Sequence, residues 1–374
     1  MSGLPDVLIV GGGVMGCAVA WRIAQTGAAV TVLERALPGA EASTKAAGML
    51  AVQGEVEGPG PFLDLCLASR RRWPDFAGEL HEVSGVDVGL SMRGVLYPAL
   101  NPAEATRLRR TAALQTSLGM IARLLSSSEM LELEPSLGPG LSLGLFAEAD
   151  GQVAPVPLAR ALHRAAQNAG VRFRTGVVAV GIATEGGRTL GVHIDAGDLM
   201  SAGQVVVAGG AWTSLLQGLG LPRGAVRPAR GQLVALATPS PPVARPVFAG
   251  GLGYILPTPD GRTLVGSTME MVGFDRAVTL EGLEHMAGVA RQLAPVLAKA
   301  PVQGHWCGFR PWTPDELPLM GPAEVSGLHL ASGHFRSGIL LAPITAEAVA
   351  AGVLGDTPPL DLTPFRPGRF SLDH

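Results

Sequence analysis

The feature that most constrains this chain is the spacing Gly11-x-Gly13-x-x-Gly16, set between an apolar run, Val7-Leu8-Ile9-Val10, and a helix-period segment that continues to Thr26. Gly27 stops that helix, and Val30-Thr31-Val32-Leu33 reads as a second strand ending at Glu34. Strand, helix and strand in this order make a βαβ unit. Gly11 permits the tight turn, Gly13 lets a pyrophosphate approach the backbone, and Gly16 brings helix and strand close. Glu34 stands where a carboxylate accepts hydrogen bonds from ribose hydroxyls, and an acid there argues against a 2′-phosphate. A glycine-rich turn alone would be weak, but here strand, helix, second strand and acid coincide. The unit implies a dinucleotide and leaves FAD and NAD both open.

With 374 residues the chain has room for two domains, or for one domain with a large insertion. A hydrophobic fraction of 47% against 16% charged residues, with 51 glycines and 30 prolines spread along the sequence, fits a compact, loop-rich enzyme and not a disordered protein. A net charge of -3, with no basic cluster beyond Arg70-Arg71-Arg72, gives nucleic acid and anionic membranes no footing. Cys17, Cys66 and Cys307 are too scattered for a disulfide framework, and with the histidines they form no metal-ligand spacing, so no metal is expected and a reducing cytoplasm fits best. The apolar stretch from Val7 to Trp21 has no preceding Lys or Arg, holds three consecutive glycines, and ends at Arg22 short of the roughly 20 residues a span needs. Neither a signal peptide nor an integral membrane segment is expected.

Two later apolar runs resemble the first strand in character. Val205-Val206-Val207-Ala208 leads into Gly209-Gly210, and Leu328-His329-Leu330-Ala331 leads into Gly333 and a helix from Ser337. Strands this apolar are usually covered on both faces. If they join the first sheet, the nucleotide-binding domain is discontinuous, comprising residues 1–85, 150–220 and 325–374. Residues 86–149 and 221–324 carry short β-rich runs, at 94–98, 231–237, 253–257 and 263–267, punctuated by Gly, Pro and Asp. They are expected to form a mainly antiparallel β substrate domain inserted into an α/β, Rossmann-like domain. Amphipathic helices are expected over 156–169 and 279–296.

Ala42-Ser43-Thr44-Lys45-Ala46-Ala47-Gly48-Met49-Leu50 supplies small side chains and hydroxyls where a flat ring system can lie against backbone. Here the sequence resembles the D-amino-acid-oxidase-like flavoproteins, in which a Ser/Thr-Ala-rich turn passes beside the flavin. Gly333-His334-Phe335-Arg336-Ser337-Gly338-Ile339-Leu340-Leu341-Ala342-Pro343 is similar to a segment of the glycine oxidases associated with thiamine thiazole synthesis. Gly308-Phe309-Arg310-Pro311, Gly151-Gln152-Val153 and the segment from Val205 to Trp212 extend the likeness over nearly the whole chain. The resemblance implies non-covalent FAD. It assigns to that cofactor Gly11, Gly13, Val14, Met15, Gly16, Glu34 and Arg35, then Ser43, Thr44, Ala46, Ala47, Gly48 and Met49. It adds Val177, Ala208, Gly209 and Trp212, and His334, Phe335, Arg336, Ser337, Gly338, Ile339 and Leu340. A physical reason accompanies the last group: a helix starting at Ser337-Gly338 would aim free N–H groups and a positive dipole end at a reduced flavin.

Oxidising an amino acid requires a carboxylate anchor and an α-carbon held over the flavin, but no protein acid or base in the hydride step. Arg310 suits the anchor because a guanidinium binds carboxylate as a fork. The resemblance places Tyr254, one of two tyrosines, at the same carboxylate, Arg336 near the entrance, and Met49 and Met269 in the pocket wall. Plain readings remain: Tyr254 and the methionines as core, Arg336 as a structural arginine, and His334 as a satisfied buried histidine. Leu252 stands where related sequences can carry a polar residue or histidine, which leaves substrate choice open. The implied reaction takes a hydride from a small amino acid such as glycine, reduces O2 to hydrogen peroxide, and yields an imine that hydrolyses to a keto acid and ammonia. Electron transfer to a quinone or carrier, oxidation of sarcosine or another N-methyl amino acid, a nicotinamide dehydrogenase, and a non-enzymatic flavin subunit are the alternatives. Self-association is expected from the resemblance.

Overall fold

The computed structural model describes residues 6–54 and 58–370. Its first sheet has six strands in the order Leu319–Pro322, Leu328–Ser332, Gln204–Val207, Val7–Val10, Val30–Glu34 and Arg172–Thr175. All neighbours pair in parallel except Leu319–Pro322, which runs antiparallel to Leu328–Ser332. Strand pleating sends alternate residues to opposite faces. Val7, Ile9 and Val206 accordingly join a helical layer, while Leu8, Val10, Val205 and Val207 pack toward a three-stranded sheet of Ala179–Glu185, Arg188–Ile194 and Leu199–Ser201. That burial on both faces explains the unbroken apolar runs.

The helical layer consists of Val14–Ala24, Pro61–Ser84, Pro155–Asn168 and Gly338–Leu354. By length and composition Phe335–Leu354 is apolar enough to cross a membrane, yet 72% of its window is buried inside the protein. It packs against Val14–Ala24 and Pro61–Ser84. Ser69 Oγ and Trp73 Nε1 both donate to the Leu340 carbonyl, at 2.6 and 2.9 Å. Pro343 removes one backbone donor from this helix, and such polar contacts from a neighbour hold its first turn in place.

The second sheet has eight strands: Val302–Trp312, Arg227–Ala237, Arg262–Gly266, Gly253–Pro257, Val247–Ala249, Val95–Pro98, Leu143–Ala147 and Arg123–Ser126. Pairing is antiparallel throughout except between Val247–Ala249 and Val95–Pro98. Val234, Leu236, Ile255 and Val265 face helix Leu280–Leu293, whereas Leu233, Ala235, Tyr254, Leu256 and Leu264 form the opposite face. A doubly covered parallel sheet joined to a mainly antiparallel one is the architecture expected from the sequence.

Several boundaries differ. Leu319–Pro322 lies inside the segment expected to belong to the substrate part, but it folds back beside Leu328–Ser332 in the first sheet; Gly321 and Pro322 disguise it as a loop. The helix expected over 156–169 is shifted by one residue, to Pro155–Asn168, and the one expected over 279–296 is shorter, at Leu280–Leu293. Helix Leu280–Leu293 ends before Pro295, which cannot continue it. Its start is fixed by Thr279, whose side chain accepts from the Gly282 amide.

Trp73 is fully buried between two helices, so Trp73→Ala should cost about 3–5 kcal/mol in urea unfolding, and Trp73→Phe a smaller amount from the lost hydrogen bond. A loss under about 1 kcal/mol for the alanine variant would contradict this packing.

Candidate active site

The glycine spacing is enforced by close approach. A Cβ on Gly16 would lie 1.8 Å from the Gly11 carbonyl oxygen, and one on Gly11 would lie 2.4 Å from that of Ala208. Gly11 also has φ +104, which disfavours any side chain. Glu34, 9% exposed, accepts from the Gly12 amide at 2.7 Å and from the Ala36 amide at 2.8 Å, one bond on each carboxylate oxygen. Each oxygen has a second lone pair, so the carboxylate can also receive ribose hydroxyls. At the start of helix Val14–Ala24, Ser43 Oγ accepts the Val14 amide at 2.9 Å.

From this helix start a cavity of about 600 Å³ extends into the space between the two sheets. Gly13, Val14, Met15, Ser43, Ala46, Ala47, Gly48, Met49 and Ala208 line it on one side, and His334 through Leu340 on another. Gly11, Gly16, Glu34, Arg35, Thr44, Val177, Gly209 and Trp212 are not in its wall. Gly11 and Gly16 shape the turn from behind. Thr44 Oγ1 donates to the Gly39 carbonyl at 2.8 Å, and the Val177 amide to the Glu34 carbonyl at 3.2 Å. The Arg35 guanidinium lies 3.6 Å over the Trp212 ring, which stacks on Phe274 at 4.8 Å. Glu41 binds Arg35 at 2.8 Å and Arg276 at 2.7 Å. These residues tie the loop over 267–279 to the nucleotide-binding half.

His334 is buried, and its Nε2 is 3.0 Å from Thr345 Oγ1. Burial pushes its pKa down to about 3, and that of His329 to about 4. The His334 ring is therefore a neutral, satisfied core group. Gly338 differs from the glycines of the turn: its φ is -57, and a Cβ there would meet only His334 Cβ, at 3.7 Å. Nothing in the protein itself calls for glycine at that position, which lines the cavity. An elongated space running from one helix start to another, edged by glycine at both, fits a flavin dinucleotide.

Arg310 and Tyr254 line the same cavity from the eight-stranded sheet. Pairing sets Ala229 opposite Arg310 and Gly231 opposite Gly308. Residues 306, 308 and 310 thus share the cavity face, where Gly231 leaves room for the guanidinium: a Cβ there would be 2.1 Å from Arg310 Nη1. Two donors fix its plane, Nη2 to Ser267 Oγ at 2.6 Å and Nη1 to the Thr268 carbonyl at 3.2 Å. Gly266 makes the same allowance for the Tyr254 ring, which is buried beside Phe248. Met49, Met269, Arg336 and Leu252 also line the cavity, with Met269 43% exposed and Arg336 Nη2 3.4 Å from its sulfur.

Sequence reasoning passes over Ser267, Thr268 and Glu270, which join the wall from the loop after strand Arg262–Gly266. Buried Arg230 anchors that loop through Glu270 and Asp275. Burial pushes the Glu270 carboxyl up, but hydrogen bonds from Arg230, Thr268 and Gln232 outweigh it and hold the pKa below the ordinary range. Its charge is thereby committed to Arg230. No local motif marks these residues; only the alternation along Arg262–Gly266 and the strand end point to them.

Fold and cavity together define a dinucleotide-binding oxidoreductase. The chain belongs to the DAO family of FAD dependent oxidoreductases, whose model matches residues 6–351. It is 37% identical to the bifunctional protein ThiO/ThiG of Synechocystis over 99% of this chain, and spans 55% of that relative's length. To the glycine oxidase of Geobacillus kaustophilus it is 36% identical, over 96% of each chain. The crystal structure of glycine oxidase from Geobacillus kaustophilus superposes with a TM-score of 0.94, at 35% identity and covering 100% of both chains.

Gly338→Leu should leave the apoprotein folded while the purified variant loses its visible flavin absorbance; full flavin occupancy would remove this helix start from the cofactor site. The histidines make a separate prediction. His334 and His329 protonate in the unfolded chain below about pH 6.5 but stay neutral when folded. Stability should therefore fall as pH drops from there toward about 4, by about 1.4 kcal/mol per pH unit for each. His334→Asn should flatten that acid-side slope in urea unfolding between about pH 7 and about pH 5. An unchanged slope would contradict the neutral assignment.

Proposed function

We propose that this protein oxidises glycine or a similarly small amine, with FAD as its cofactor and O2 as electron acceptor. The observation that carries the reading is Arg310, held flat over Gly231 by Ser267 and Thr268 on the face shared with Tyr254. A planar guanidinium so fixed offers a fork to one carboxylate. The Tyr254 ring borders the same end of the cavity and limits the space for a side chain on the α-carbon. Met49 and Leu252 add apolar wall, which excludes water from the reacting carbon.

When bound, FAD would supply the redox chemistry, taking the hydride from the α-carbon and passing electrons to O2. The chain's own part is positioning. Gly13, Ser43 and the start of helix Val14–Ala24 would hold the pyrophosphate, and Glu34 the ribose. The amides of Gly338, Ile339 and Leu340 at the start of the second helix would face the pyrimidine end of the ring, where negative charge collects on reduction. Glu270 is held to Arg230, and burial makes His334 hard to protonate, so both are poor bases. Deprotonation of the substrate amine is left to solvent. The likeness to the glycine oxidases and to the ThiO/ThiG protein supports an imine product that feeds thiamine thiazole synthesis. We further infer a cytoplasmic enzyme that self-associates.

The test is aerobic peroxide formation by the purified protein with glycine, sarcosine, N-ethylglycine, D-alanine and D-proline. Glycine or sarcosine should give the largest kcat/KM, and a flat response to all five would overturn the assignment. Arg310→Ala should lower kcat/KM for glycine by about a hundredfold or more, mostly through KM, with FAD still bound. Unchanged kinetics would remove Arg310 from the carboxylate role.

A further inference from the structure

The two halves are also joined by a buried segment, Asp150 to Gln152. Gly151 and Gln152 pair antiparallel with Leu50 and Met49, in the stretch that lines the cavity with Gly48, Met49 and Ala51. The Gln152 side chain reaches the second sheet, its Nε2 donating to the Pro257 carbonyl at 2.8 Å, at the end of the strand that carries Tyr254. Asp150 is fully buried and makes the same connection with its carboxylate. Oδ2 accepts from the amides of Val52 at 3.1 Å and Gln53 at 3.0 Å, directly after the cavity-lining stretch, and from the Tyr97 hydroxyl at 3.1 Å. Oδ1 takes Arg70 Nη1 at 2.6 Å, from helix Pro61–Ser84. Tyr97 is seated between the halves. A Cβ on Gly54 would lie 1.9 Å from Tyr97 Cε1, and Gly54 lacks the positive φ that would call for glycine, so the ring is what its missing side chain accommodates. On its other side the ring stands edge-on to Phe248 with centroids 5.9 Å apart, and Phe248 stands edge-on to Tyr254 at 6.2 Å. Phe248 and Tyr254 both line the cavity.

Apolar packing would join two halves at least as stably as a buried ion pair does. What the carboxylate adds is four directed bonds, which fix distance and angle between the segments that supply the donors. We propose that Asp150 is a positioning residue for the hydride step, acting through Tyr97 and the Val52 and Gln53 amides to hold the cofactor turn in register with the wall of Phe248 and Tyr254. The inference rests on the reading above, in which FAD lies along that turn and the substrate carboxylate on Arg310. Arg310 is fixed separately, by its own bonds to Ser267 Oγ and the Thr268 carbonyl. Loss of the Asp150 link therefore moves the flavin relative to the α-carbon and leaves the carboxylate anchor in place. A misplacement of about 1 Å at a reacting centre costs on the order of a hundredfold in rate.

The experiment measures anaerobic flavin reduction by glycine in FAD-loaded wild type, Tyr97→Phe and Asp150→Asn. Tyr97→Phe keeps the ring and removes only the hydroxyl that meets Asp150. It should lower the limiting reduction rate about tenfold while the half-saturating glycine concentration stays within about threefold, and Asp150→Asn should lower the rate further. Visible circular dichroism of the bound flavin, which reports the fixed surroundings of its ring, should change in both variants at full FAD occupancy. A limiting rate within about twofold of wild type in Tyr97→Phe, or a rate loss matched by an equal rise in half-saturating glycine, overturns the proposal. If the asparagine variant does not fold or load FAD, Tyr97→Phe decides alone. If glycine and sarcosine fail to reduce the wild type, it is the preceding reading that fails. The positioning role then stands or falls on the dichroism of Tyr97→Phe, where a spectrum identical to that of wild type overturns it.

Discussion

The structure depends on a contact in which three backbone segments meet without side chains between them. Strand Val7–Val10, helix Val14–Ala24 and the end of strand Gln204–Val207 converge where Gly16 touches the Gly11 carbonyl and Gly11 touches that of Ala208. Any Cβ there would have to displace backbone, which the neighbouring strands hold by parallel pairing. The convergence sets the helix start at the cavity wall, where Ser43 Oγ accepts the Val14 amide. Glu34 then closes one side of the turn by accepting the Gly12 amide. A single packing constraint thus fixes the sheet order and creates the polar end of the cofactor site.

The face of the cavity that carries Arg310 and Tyr254 is built on the alternation of the other sheet. Leu233, Tyr254 and Trp306 face inward because they lie on one side of the pleat, while Val234 and Ile255 pack beneath against helix Leu280–Leu293. Gly231 and Gly266 are gaps in that inward face, and the Arg310 and Tyr254 side chains fill them. The loop over 267–279 closes the arrangement. Arg230 pins it from below through Glu270 and Asp275, and Glu41 pins it to the nucleotide-binding half through Arg276. The two halves are therefore linked by charged groups on the loop over 267–279.

Much of this is legible in the sequence because local rules and global fold agree. The Gly11 to Glu34 unit and the three apolar parallel strands each carry a backbone requirement visible without neighbours. Arg310 and Tyr254 are legible only through family resemblance, since a lone arginine or tyrosine on a strand has ordinary structural roles. Helix Pro61–Ser84 is hidden because Pro74 sits in its middle; that proline is on the exposed face, where water can serve the carbonyl left without a donor. Leu319–Pro322 is hidden by its Gly-Pro ending. Ser267 and Thr268 are hidden for a different reason: their role is to orient Arg310, and orientation is set by a pairing between strands distant in sequence. Arg35 and Trp212, expected at the cofactor, stack on each other outside the cavity wall, a cation–π contact that sequence spacing does not reveal.

The central claim is that one continuous cavity brings a small amino acid, anchored by Arg310, against an FAD held by the two helix starts. Anaerobic mixing of the purified yellow protein with glycine in a stopped-flow spectrophotometer tests this without reference to oxygen or product. The visible absorbance of the bound flavin should bleach in a glycine-dependent manner, and the Arg310→Ala protein should bleach only at far higher glycine concentration. Flavin that stays oxidised in the presence of saturating glycine and sarcosine would contradict it.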